Sequence, residues 1–428
     1  MWGFRPIVPL PRRWHSVFMA GLLAVVLFGM VPSACANPFQ GLIYGRITLK
    51  DNQTREGILL WANRQLFWED IFDAQREENN ALDFLNSSEI KQLSDQEIKD
   101  KIEWGFMHLW EKNIPSKSQK FSCRFGDLGS ITVADDDNAV LYFKNGSSLR
   151  VRGTDRHRDV GHRIHMIDPN GEWHKIRWDD IRRIEFKPTP ANALNSAVKP
   201  LYGTITTAAG ELRGFVKWDQ DETMTSFRLD GKIDDKPKRI TFGSIRKIEK
   251  IADNTCAVTL FSEKQIVLSD NDDVGPTNHG LTVFVKGTGS MIIDWKDFKE
   301  AVFDYDQTQD ELMGYLDFKE PKVLWGRVKT RDGAIYKGKM IYDLDEQWDF
   351  ETLEGKEDDR HYSIVLRDIR LIEPHPESFT TILLKNGRKL NLDGHHDVTD
   401  KNWGVLVWKG STSPKYIPWK SIQSIYLP

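Results

Sequence analysis

The sequence predicts an all-β protein of three tandem repeat domains, each made of two similar units, with one α-helical insertion in the first. Three observations carry this. The chain repeats itself over long distances, its strands alternate apolar and polar residues around polar turns, and only one region switches to helical spacing. At 428 residues, with 39% hydrophobic and 29% charged side chains, the composition is that of a globular chain. The 31 glycines and 15 tryptophans favour β structure with many tight turns.

The repeat is visible in three stretches. "IYGRITLKDNQTREGILLWANR" from Ile43, "LYGTITTAAGELRGFVKWDQDE" from Leu201 and "LWGRVKTRDGAIYKGKMIYDLDE" from Leu324 each begin with an aromatic-Gly pair, alternate, turn and alternate again. That is a β-hairpin pattern. Trp218, Phe242, Ile245, Ile248, Leu281 and Trp295 find counterparts 124 residues later in Tyr342, Leu366, Ile369, Ile372, Val405 and Trp419. Phe242, Leu281, Trp295 and Phe303 match Phe125, Ile164, Trp178 and Phe186 at an offset of 117 residues. The first hairpin stands 157 residues before the second, which leaves a net insertion of 40 residues in the first repeat.

Each repeat is also doubled internally. "ITFGSIRKIE" from Ile240 resembles "IIDWKDFKEAVF" from Ile292, 53 residues apart, and the third repeat shows the same spacing. A unit of about 50 to 60 residues buries too little surface to stand alone, so paired units in an elongated or curved array are expected. The expected domains are 37–186, 201–303 and 323–428, joined by linkers 187–200 and 304–322. The insertion, about 75–120, contains a capping box at Ser94 and Glu97. Ile98, Ile102, Phe106, Leu109 and Trp110 follow at helical spacing, and Pro115 ends the pattern. It reads as an amphipathic helix packed on the first domain, or as an element that docks a partner.

Residues 1–36 read as a signal peptide. Arg5, Arg12 and Arg13 precede the apolar run Val17 to Val31, and Ala34-Cys35-Ala36 gives the small-x-small cleavage pattern. The run is shorter than the roughly 20 residues of a spanning helix, so no membrane span is expected after cleavage. Lipid anchoring through Cys35 is the alternative, although Pro32 departs from the lipobox pattern. The expected location is the periplasm or cell exterior. Removing three arginines and no acid takes the formal charge from −4 to −7, which disfavours nucleic acid as a partner. Cys123 and Cys256 then remain, too few for a disulfide scaffold.

The unit, a hairpin around a "DG"-type turn with a final short "I..dI..I" segment, resembles the small Sm-like or SH3-like β-barrels. The whole chain is similar to exported bacterial proteins with repeats of the "G-x-I-x-T-x-x-G…W-x-x-F" kind. The resemblance implies small barrels and carries no activity; Sm-type RNA binding is not transferred, given the leader and the acidic charge.

The candidate chemistry is sparse. Trp178, Trp295 and Trp419 share one repeat slot, and Trp61, Trp218 and Tyr342 another, so these read as core. Trp68, Trp110, Trp348, Trp403 and Trp408 lie outside those slots and are candidates for stacking on a glycan or a protein partner. The turns "WDQDE" and "YDLDE" place Asp219, Asp221 and Glu222 over Asp343, Asp345 and Glu346, which offer oxygen ligands to Ca²⁺, or else form solvated turns. His157, His162 and His165 cluster in sequence, but alternation turns His162 and His165 to opposite faces. In "LDGHHDVTDKNWG", the ungapped register sets His395, His396 and Asp397 over Asn271, Asp272 and Asp273 and over Thr154, Asp155 and Arg156. A gap would align Asp159-Val160 with Asp397-Val398 instead. The two histidines read as one repeat's variation on a polar connecting loop. No nucleophile elbow, phosphate loop or H-E-x-x-H helix is present. The expected function is therefore a non-catalytic binding or scaffold protein of the cell envelope, acting through the insertion or the groove between domains. A carbohydrate- or calcium-binding module is the alternative, and a cell-envelope hydrolase the third reading.

Overall fold

The computed structural model describes residues 37, 39–62, 65–77, 80–93, 120–154, 159–194, 198–269, 272–305, 312–410 and 413–428. The first repeat contributes ten strands: β1 (Tyr44–Leu49), β2 (Thr54–Trp61), β3 (Ile71–Arg76), β4 (Lys120–Arg124), β5 (Leu128–Val133), β6 (Asn138–Phe143), β7 (Ser148–Arg152), β8 (Ile164–Ile167), β9 (Trp173–Ile176) and β10 (Ile181–Phe186). The second runs from β11 (Tyr202–Thr207) to β20 (Phe298–Phe303), and the third from β21 (Trp325–Thr330) to β30 (Ile422–Tyr426). The protein is all-β, in three antiparallel sheets of ten, twelve and eight strands.

The pairing explains both levels of repetition. In the first repeat the order is β4-β3-β7-β6-β5-β10-β1-β2-β8-β9, and the second repeats it strand for strand. Exchanging the first five strands with the last five reverses this order and leaves it unchanged, so the internal doubling is a pseudo-twofold arrangement. None of the three sheets closes on itself. The second hairpin of each half pairs with the first hairpin of the other half, as in β2 with β8 and β3 with β7. Hairpin exchange leaves the sheets open. The expected apolar-x-x-apolar turn is present as a short 3₁₀ turn, such as Phe125–Asp127 before β5 and Trp178–Asp180 before β10.

The third repeat keeps the same order but lends one hairpin away. Its β23 (Thr352–Glu357) and β24 (Arg360–Val365) join the second sheet, where β24 pairs with β19 (Gly289–Ile293) from Ser290–Ser363 to Ile293–Arg360. One bridge, Lys356 to Asp393, ties the hairpin back to its own repeat. This gives the twelve- and eight-stranded sheets.

Each repeat touches both others. Phe67 of the first meets Phe284 of the second with ring centroids 5.5 Å apart. Phe121 of the first meets Phe350 of the third at 6.2 Å, and Arg367 of the third donates to Asp127 of the first at 2.8 Å. Residues 37–428 form one compact unit. The linkers are packed as well. In 187–200, Thr189 is buried and donates to Leu42 O, and in 304–322, Leu312 and Phe318 are buried.

The insertion is helical from Ser87 onward in its described part. A capping box opens it: Asn86 Oδ1 accepts from Glu89 N at 3.0 Å while Glu89 Oε2 accepts from Asn86 N at 2.8 Å. Ser94, Glu97 and Trp110 lie outside the described residues. Leu82, Leu85 and Leu93 pack on Ile341, Leu344, Leu406 and Tyr416 of the third repeat, and the expected helical positions Ile98, Ile102, Phe106 and Leu109 also lie outside the described residues. Among the described residues, no helix is long and apolar enough to cross a membrane.

Candidate functional site: acid turns around a junction cavity

The polar residues of interest grow out of one recurring turn. After the second strand of each repeat, Ala62, Asp219 and Asp343 take φ of 48°, 47° and 48°, with Gln220 and Leu344 following at 68° and 59°. Successive positive φ values match the right-handed twist of a hairpin, and Asp tolerates them better than most residues. Asp219 then accepts from His279 N, and Asp343 from Trp403 N, so each carboxylate ties the turn to a loop about 60 residues away.

A second acid repeats in all three copies. Trp61 Nε1 donates to Asp159 O at 2.7 Å, Trp218 Nε1 to Asp273 O at 2.8 Å and Tyr342 Oη to Asp397 O at 2.5 Å. The carboxylates of Asp159, Asp273 and Asp397 accept from the amides of Asp73, Asp230 and Glu354. The gapped alignment is therefore the correct one: Asp159, not Arg156, is the partner of Asp397. The three core aromatics and this aspartate form one lock, present three times.

The histidines of the loop 392–404 elaborate that lock. His395 sits between Asp397 and Glu354, with Nδ1 3.0 Å from Asp397 Oδ1 and Nε2 3.0 Å from Glu354 Oε2. Burial opposes its charge, but the two carboxylates outweigh it and push its pKa up to about 10. His396 Nδ1 lies 2.6 Å from Asp343 Oδ2. Burial alone would raise Glu354 too, yet Lys120 and His395 bring it down to about 2. Asp345 and Glu346 are both raised, first by burial; the charges of Asp343 and Asp397 add to each, Asp345 raises Glu346 further, and the hydrogen bond from Glu346 works the other way on Asp345.

The turns border the place where the repeats meet. A cavity of about 380 Å³ is lined by Gln65, Asp73 and Lys120 of the first repeat, Lys217 of the second, and Glu354 and His395 of the third. A larger one, about 710 Å³, adjoins it, because Ile71, Phe284, Ser290 and Ser363 line both. Two ion pairs at the smaller cavity join different repeats: Lys217 with Asp70, whose side chains are 5% and 4% exposed, and Lys120 with Glu354. A third, Arg76 with Glu351, is 1% and 3% exposed.

The placement of the predicted residues is mixed. Asp219, Asp221 and Glu222 do come together, with ligand atoms within 4.8 Å, whereas in the third repeat Asp343 groups with His396 and Asp397. Trp68 is buried against Phe186 and Tyr315 and donates to Thr189, and Trp403 is buried beside His396. Trp348 packs on Phe143 and Phe350, and Trp408 meets Phe84. These four indoles therefore do not present a shared flat face. Cys123 and Cys256 are buried free thiols. Sequence reasoning missed Asp70, Arg76, Lys120, Lys217 and Glu351. One signal was in the register: Lys217 stands where the other repeats have Leu60 and Ile341, and Asp70 and Glu351 stand where the second has Phe227. Compared with known proteins, the chain matches no family model, no curated protein and no solved structure.

Proposed function

We propose that this chain is an exported, non-catalytic binding protein whose ligand, a small polar molecule, seats in the cavity where the three repeats meet. The observation that carries the reading is the convergence of charged side chains from all three repeats on that one cavity. Burying an ion pair is a poor route to stability, since desolvation offsets most of the attraction. Lys217 nonetheless occupies a slot that the other repeats fill with leucine and isoleucine. Its pairing with Asp70, and that of Lys120 with Glu354, holds donors and acceptors in fixed positions, as small-molecule sites require. The signal pattern of residues 1–36 supports export. The small-barrel likeness enters only through the order of each half: two hairpins, a 3₁₀ turn and a closing strand.

The test is native mass spectrometry of the protein purified from its own envelope, repeated with Lys217→Met. The reading expects a bound small molecule that the variant loses. A protein free of bound small molecules, or a ligand that Lys217→Met retains, counts against it.

A further inference from the structure

Three strands from two repeats form one wall of the smaller junction cavity. β19, β24 and β23 lie side by side, with Ser290 opposite Ser363 and Ser363 opposite Glu354. Met291 and Tyr362, next along their strands, are buried in the core, so alternation turns Ser290 and Ser363 toward the cavity. Charge around this cavity is matched. Lys217 meets Asp70, Lys120 meets both Glu354 and Asp73, and His395, held protonated, meets Glu354 and Asp397. These three cations face four carboxylates, and Lys356, two residues beyond Glu354 on β23, supplies a fourth positive charge. A ligand with net charge would therefore be buried there without a counter-charge.

Hydrogen-bonding capacity, in contrast, is left over. The Lys217 side chain is 5% exposed, and the one bond it makes among the described residues, to Asp70, uses one of its three hydrogens. Gln65, which also lines the cavity, donates through Nε2 to Asp159 Oδ1 at 3.0 Å. Its Oε1 is buried and accepts from no group among the described residues. Buried donors and acceptors left unmet are costly. A hydroxyl satisfies both kinds, whereas a carboxylate only accepts and an ammonium only donates. Ile71, Ile292 and Phe284 add apolar surface for the carbon skeleton that carries such hydroxyls. We infer that the ligand is a neutral polyhydroxylated molecule of the sugar class. Its hydroxyls accept from Lys217, donate to Gln65 and exchange hydrogen bonds with Ser290 and Ser363. This inference rests on the cavity being the ligand site, as proposed above, and adds the ligand's chemistry.

The test is calorimetric titration of the purified protein, in separate arms, with D-glucose, D-galactose, N-acetyl-D-glucosamine and lactose, and with sodium phosphate and sodium succinate. At least one sugar is expected to bind at one equivalent, and neither anion. The double variant Ser290→Ala, Ser363→Ala removes two half-buried hydroxyls and keeps every ion pair, so it should fold and weaken the sugar by about tenfold or more. Lys217→Met should abolish binding, and unfolding midpoints of both variants are measured in parallel. An anion that binds the parent protein and is lost in Lys217→Met overturns the sugar assignment but leaves the cavity as the ligand site. Binding of none of the sugars also overturns the assignment, and the mass spectrometry described above then judges the cavity separately. A sugar whose affinity either variant leaves unchanged overturns the inference. If both leave it unchanged, the sugar sits outside the cavity, and that counts against the cavity reading as well.

Discussion

Asp70→Asn leaves Lys217 as a cation buried without a counter-charge, and its cost follows from the geometry. The Lys217 side chain is 5% exposed and its partner 4%, so neither charge can turn to water. The other Asp70 oxygen accepts from Leu66 N at 2.7 Å and Phe67 N at 2.8 Å, which an asparagine carbonyl can still do. The loss is therefore chiefly electrostatic. Breaking one side of a buried pair costs about 3–5 kcal/mol, and Lys217→Met should cost a similar amount by stranding Asp70. Combining the two removes both charges, so the double variant should be more stable than the sum of the single losses predicts. The expected coupling is roughly 2–3 kcal/mol. Guanidinium unfolding followed by tryptophan fluorescence measures all four corners of the cycle. Losses that add to within about 0.5 kcal/mol would refute the claim that this pair joins the first and second repeats.

Further expectations follow from the same packing. Glu351→Gln strands Arg76 and should cost about 3–5 kcal/mol in the same unfolding assay, while Arg76→Met with Glu351→Gln recovers much of that loss. Glu354 has a folded pKa of about 2, below its ordinary value of 4.5, so its contribution is present above pH 4.5 and is lost as the pH falls toward 2. By linkage that is roughly 3 kcal/mol at most, and Glu354→Gln should flatten this part of the stability curve measured between pH 5 and pH 2.5. Gly214→Ala would set a Cβ 2.1 Å from Phe284 O, and the matching glycines Gly57 and Gly338 face carbonyls at 2.3 Å and 1.8 Å. Each alanine should lower stability by about 2 kcal/mol in thermal melts, because the strand at that crossing cannot move aside freely.

Much of the fold was legible because alternation and register are written locally. Offsets of 117 and 124 residues found corresponding strands, and Trp61, Trp218 and Tyr342 are the core residues that their shared slot implied. Partner choice was not legible. Periodicity says which face a residue takes, not which strand lies beside it, so hairpin exchange and the docking of β24 on β19 left no local mark. The lock at Asp159 was hidden because that loop differs in length from its counterparts. The off-repeat tryptophans misled for a related reason: Trp68 and Trp403 lie outside the repeat slots, yet linker and turn contacts bury them. The cavity charges could be found only by reading the register for exceptions, such as Lys217 among Leu60 and Ile341.

The most direct test of the account is equilibrium unfolding of the whole protein, observed together by far-ultraviolet circular dichroism and tryptophan fluorescence. Three repeats, the second and third sharing a sheet and the first held to both by buried ion pairs around one junction, predict a single transition, coincident in both signals. Separate transitions, with one repeat melting while the other two keep their signal, would contradict it.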